Sequence, residues 1–146
     1  MRYDMISKQR LAEDLAQLAT CSDPGEGINR IAFGDANWQA RDYIIRRMEE
    51  AGLAVRSDAF GNLYGRKEGS EPDAPAVLFG SHIDSVPSGG NFDGAVGVLA
   101  ALEAVRHIAE EKIAHVHPIE VVVFMAEESL SLIHISPEMS RTRRAP

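Results

Sequence analysis

Leu11, Leu15 and Leu18 recur at three- and four-residue intervals among polar neighbours, the period of an amphipathic helix over roughly residues 5–19. That segment runs into Cys21-Ser22-Asp23-Pro24-Gly25, a cluster of turn formers. A second helix is predicted from about Asn37 to Ala51: Trp38, Ile45 and Met48 share a face, Arg46 and Glu50 can pair one turn apart, and Gly52 stands where a left-handed C-terminal cap belongs. Beyond Gly52 the period shortens, and Leu53–Val55 and Asn62–Tyr64 read as strands before a loop from Gly65 to Pro75. Two continuous apolar runs, Ala76–Gly80 and Ile119–Met125, have the character of strands buried on both faces. Between them Gly94 to about Glu111, rich in Ala, Leu and Val, reads as a crossover helix.

Strand, helix, strand in that order is a βαβ unit. The fold class expected is therefore α/β, with a mostly parallel sheet covered by helices. Such sheets take their ligands at the carboxyl ends of the strands. Here those ends are Ser81-His82-Ile83-Asp84 and Ala126-Glu127-Glu128-Ser129.

Composition narrows the chemistry. With 146 residues, 45% hydrophobic and 25% charged, the chain suits one soluble globular domain and excludes disordered and collagen-like order. No apolar run approaches the ~18 residues that span a bilayer, and Met1-Arg2-Tyr3-Asp4 leads into a charged segment unlike a signal-peptide core, so a cytoplasmic protein without a membrane partner is expected. The single Cys21 excludes an internal disulfide and a thiolate cluster, leaving His and carboxylates as the only metal ligands. The net charge of -7 argues against a nucleic-acid partner. It is unevenly spread: residues 130–146 carry Arg141, Arg143 and Arg144 against Glu138, a tail of +2 on a body of -9.

At the two strand ends stand His82, Asp84, the turn Gly89-Gly90-Asn91-Phe92 leading to Asp93-Gly94, and the pair Glu127-Glu128. Imidazole and carboxylates on adjacent rigid strand ends are what a divalent metal needs, and His82, Asp93 and one of the two glutamates form a partial ligand set. Asp84 is placed to accept a proton from the other ring nitrogen of His82 and fix its tautomer. Consecutive glutamates point in different directions, so one can bind metal while the other faces water as general base, the arrangement of a metal-assisted hydrolase. Singly, each feature has an ordinary reading: a loop histidine, a solvated Glu pair, a plain turn. His107, His115 and His117 read as solvated or packing residues, and Cys21 as incidental.

The stretch Gly80-Ser81-His82-Ile83-Asp84-Ser85-Val86-Pro87-Ser88-Gly89-Gly90-Asn91-Phe92-Asp93-Gly94 resembles the signature of the co-catalytic zinc aminoacylase and carboxypeptidase family. More narrowly it resembles the amidase branch: N-carbamoyl-L-amino-acid hydrolases, allantoate amidohydrolases and β-ureidopropionases. Gly27–Phe33, Met48–Leu53, Asp58–Leu63 and Met125–Ser129 have counterparts in that branch, so the resemblance runs from about Leu11 to Ser129. It implies that His82 binds one metal, Asp93 bridges two, Glu128 binds the second, Glu127 is the general base and Asp84 orients the histidine. It also implies two divalent ions, Zn²⁺ or Mn²⁺, and hydrolysis of an amide or ureido C–N bond in a small-molecule substrate. The expected assembly is a homodimer formed through an inserted smaller domain that this chain lacks.

Members of the family have roughly 400 residues, consistent with two domains, and take further metal ligands and substrate-binding residues from the part missing here. Residues 1–129 are thus expected to be the N-terminal part of the catalytic domain. From Leu130 the resemblance stops, and Leu130-Ser131-Leu132-Ile133-His134-Ile135 looks like a translation of CTG-TCT-CTT-ATA-CAC-ATC, the transposon end carried by sequencing adapters. Residues 130–146 are accordingly expected to be a non-native, adapter-derived tail, and His134 is not proposed as a ligand. Two alternatives stand beside the amidohydrolase reading: a dipeptidase or aminoacylase of the same family, and a non-catalytic α/β fragment.

Overall fold

In the computed structural model, which describes residues 6–129, the leucine period of the first segment forms α1, Lys8–Ala19. Ser7 caps it, its hydroxyl accepting the Arg10 N–H at 3.2 Å. Helix α2, Asp35–Glu50, buries Ala36, Ala40, Ile44 and Met48 on one stripe. The predicted face is rotated from this one: Trp38 is 46% exposed and Ile45 only partly packed, because small alanines, which a hydrophobic count passes over, set the close contact. Arg47, instead of Arg46, pairs with Glu50. Gly52 ends the helix at φ +76°, as its position suggested.

The strands are β1 (Ala54–Ser57), β2 (Leu63–Lys67), β3 (Val77–His82) and β4 (Ile119–Phe124), with α3 (Ala95–Glu110) between the last two. They form one sheet in the order β1-β2-β4-β3. The βαβ unit is present: β3 and β4 are parallel neighbours, with Val77 beside Ile119 and His82 beside Phe124. The rest of the sheet differs from the parallel expectation, since β1 pairs antiparallel with β2, and β2 antiparallel with β4. Residues 58–62 alone join β1 to β2, which suffices for a hairpin and is far too short for a crossover.

Ile119, Val121 and Val123 of β4, with Leu63 and Phe79, face a core completed by Leu18, Ile44, Met48, Val98, Leu99, Leu102 and Val105 from all three helices. Each fully buried side chain of this kind contributes about 2 kcal/mol of transfer free energy. The alternating positions face the other way, where Arg56 and Arg66 pair with Glu120 and where Leu78 is 49% and Phe124 42% exposed. The helices therefore cover one face among the described residues, not both. β3, read from its apolar run as doubly buried, is an edge strand there, and Val77 is 51% exposed. Gly80 lets it approach β4: a Cβ at that position would lie 2.0 Å from the Val122 carbonyl oxygen.

Candidate metal centre

His82 is the last residue of β3, not the first beyond it, and its ring is buried. Its Nδ1 lies 3.0 Å from the Asp84 main-chain carbonyl. A carbonyl can only accept, so Nδ1 carries the proton and Nε2 presents its lone pair. Nε2 faces outward to Asp93 Oδ1 at 3.7 Å and Glu127 Oε2 at 3.6 Å. The sequence pattern places the Asp84 carboxylate against Nδ1. That group stands farther from Nδ1, at 3.5 Å, and the carbonyl makes the shorter contact.

The Asp84 carboxylate has another partner. Its Oδ2 accepts the Glu128 N–H at 3.1 Å, tying the loop after β3 to the loop after β4. Its Oδ1 is buried with no hydrogen-bond partner. Between β4 and Glu127, Ala126 adopts φ +59°, a left-handed conformation that costs an L-residue roughly 1–2 kcal/mol. Residues 127–129 then turn helical. On the other side Gly94, φ +63°, precedes α3, and a Cβ there would lie 2.6 Å from the His82 ring. Only glycine leaves room for the imidazole and tolerates that backbone.

Donor atoms of His82, Asp93 and Glu128 all lie within 4.8 Å of one another. Four carboxylates, those of Asp84, Asp93, Glu127 and Glu128, surround this one imidazole, and among the described residues none has a Lys or Arg within ion-pair distance. The Asp84 carboxylate holds the His82 imidazole above its ordinary pKa, against burial, which lowers it. Burial and the neighbouring Asp93 push the Glu128 carboxyl up. Concentrated negative charge with an oriented imidazole lone pair and an orphaned buried carboxylate oxygen fits a divalent cation. The structure thus brings together all five residues singled out from sequence. His107 lies on α3, while His115 and His117 bond to main-chain carbonyls in exposed loops away from this centre. His134 and the rest of the tail lie outside the described residues.

Two supports were not legible as such. Arg30, 1% exposed, donates to the carbonyls of Ile83, Leu18 and Cys21, while its main chain exchanges hydrogen bonds with Ser85, which fixes the loop through Asp84. Asn62 bonds the main chain of Met125, two residues before Glu127. An Asp four residues ahead of an Asn around Gly61 is an Asx-turn signal that could have pointed to it.

Residues 62–133 match the model of Peptidase family M28. An N-carbamoyl-L-amino-acid amidohydrolase of Pseudomonas sp. (strain NS671) is 47% identical over 131 residues, covering 88% of this chain and 31% of the relative. A ureidoglycolate hydrolase of Oryza sativa subsp. japonica is 41% identical, covering 84% and 26%. The crystal structure of a hydantoinase/carbamoylase family amidase from Burkholderia multivorans superposes with a TM-score of 0.82 at 41% identity, covering 85% of this chain and 30% of that one. The chain therefore spans about a third of the length of the curated relatives it matches. By sequence and by fold, the chain is a relative of the N-carbamoyl-L-amino-acid amidohydrolases and the hydantoinase/carbamoylase family amidases.

Proposed function

We propose that this chain carries one part of a dinuclear metal centre whose parent enzyme hydrolyses the linear amide or ureido C–N bond of an N-carbamoyl amino acid, allantoate or a related small molecule. The observation that carries the reading is the meeting of the His82 Nε2 lone pair with Asp93, Glu127 and Glu128 across the β3–β4 pair. His82, Asp93 and Glu128 would hold metal, with Asp93 shared between two ions, Zn²⁺ or Mn²⁺. When bound, the ions polarise the substrate carbonyl and acidify water.

The chain's own groups divide the remaining work. The Asp84 carbonyl keeps the proton on His82 Nδ1, and the Asp84 carboxylate holds the Glu128 main chain in place. Glu127, its side chain half exposed, takes a proton from the attacking water as the C–O bond forms and returns it to the leaving nitrogen as the C–N bond breaks. The remaining metal ligands, the substrate-binding groups and a dimer-forming domain would belong to the portion of the relatives this chain does not span, so the 146-residue chain alone would be inactive. Residues 130–146, we further propose, are an adapter-derived tail foreign to the parent.

Assaying the full-length parent against N-carbamoyl amino acids, allantoate and dipeptides tests the substrate class. Release of the free amino acid or ureido product from the first two is expected; activity confined to dipeptides would replace this reading with the dipeptidase one.

A further inference from the structure

The main-chain ladder stops where the proposed site begins: β4 leaves β2 at the Leu63–Val123 pair and β3 at the His82–Phe124 pair. The next amide, that of Met125, is taken by a side chain. Asn62 Oδ1 accepts it at 2.8 Å, and Asn62 Nδ2 donates to Asp58 Oδ2 at 2.8 Å. This pairing admits one amide orientation, because a main-chain N–H only donates and an ionised carboxylate only accepts. Asp58 is itself fixed: its Oδ1 accepts the N–H groups of Phe60, Gly61 and Asn62, and the Tyr64 hydroxyl donates to Oδ2. The Asn62 side-chain amide first, then the N–H groups of Asn62 and Gly61 and the Tyr64 hydroxyl, hold the Asp58 carboxyl below its ordinary pKa against burial.

The turn that follows is thus held at two points, Met125 by Asn62 and Glu128 by Asp84. Between them lies Ala126, left-handed and 3% exposed. A strained residue persists only where its surroundings over-determine it. We propose that Asn62, oriented by Asp58, is a positioning residue for the candidate metal centre: it holds the exit of β4 so that the turn through Ala126 presents Glu127 and Glu128 to His82. The inference rests on the metal reading above for its consequence, but not for its geometry.

The test uses the full-length parent, with Glu128 amide hydrogen exchange and a Co²⁺ titration as two readouts. Asn62→Ala is expected to keep a cooperative thermal transition, to lose Glu128 protection by about tenfold although that amide is bonded to Asp84, and to weaken Co²⁺ binding by about tenfold. Tyr64→Phe, which removes a different bond to Asp58, should move neither readout. If Asn62→Ala fails to fold, Asp58→Asn replaces it: the Oδ1 acceptor remains for the turn while the opposing group becomes a donor, and the same two losses are expected. A folded variant with Glu128 protection and Co²⁺ affinity both unchanged would overturn the proposal. Should the unmodified full-length parent bind no Co²⁺, the metal reading falls, and the clamp stands or falls on Glu128 protection alone.

Discussion

At the scale of single residues the separation of roles between the neighbouring glutamates is what the geometry makes testable. Glu127 Oε2 faces His82 Nε2 from a half-exposed side chain, whereas the Glu128 main chain is bonded to buried Asp84. In the metal-loaded parent, Glu127→Gln should lower kcat by about 10²- to 10⁴-fold, the range of a lost general base, with metal content by atomic absorption nearly unchanged. His82→Ala or Asp93→Ala should lower metal content and turnover together. Near-normal turnover of Glu127→Gln would remove its assigned role. The residue types and their spacing were legible because donor chemistry is a property of the side chain itself. Which Asp84 oxygen meets His82 was not, since the carbonyl and the carboxylate differ by 0.5 Å in a loop that buried Arg30 shapes from far along the chain.

At the scale of elements, the helices are joined by buried charge as well as by apolar contact. Asp14 of α1 accepts from Tyr43 and Arg47 of α2 and from Arg106 of α3, while Glu103 of α3 accepts from Arg10 and from the Ser7 main chain. Burial raises the Asp14 carboxyl, but the bonds from Tyr43, Arg106 and Arg47 outweigh it and leave it below its ordinary value. Glu103 is likewise held below its ordinary value, burial being outweighed by Arg10 and the Ser7 N–H. Carboxylates depressed in the folded state add stability that is fully present above their unfolded pKa values, 3.8 and 4.5, and is lost as pH falls through the folded ones. The melting temperature should therefore drop as pH falls below about 4.5, and Asp14→Asn should flatten that drop when followed by circular dichroism. Nothing in the sequence marks Asp14 as buried, because its partners lie 29 to 92 residues away. The helix containing it was legible, since the leucine period depends only on near neighbours.

For the whole molecule, the parallel β3–β4 pair with its crossover helix matches the pattern read from the chain. The change of charge at residue 130 and the adapter-like Leu130-Ser131-Leu132-Ile133-His134-Ile135 lead to a prediction at the level of the gene. An uninterrupted genomic read across codon 129 should continue into family sequence, and one that continues into Leu-Ser-Leu-Ile-His-Ile would show the tail to be native. By itself the sequence determined the βαβ order and the placing of His82, Asp93 and the Glu127-Glu128 pair at the strand ends, because periodicity and donor chemistry are local. Only the tertiary structure decided the β1-β2-β4-β3 order, the sheet face that no helix covers among the described residues, the Asp14 and Glu103 ion pairs and the hold of Asn62 on Met125. Each of these depends on which distant partner satisfies a main-chain or charged group, and that choice is made by the packing of the fold.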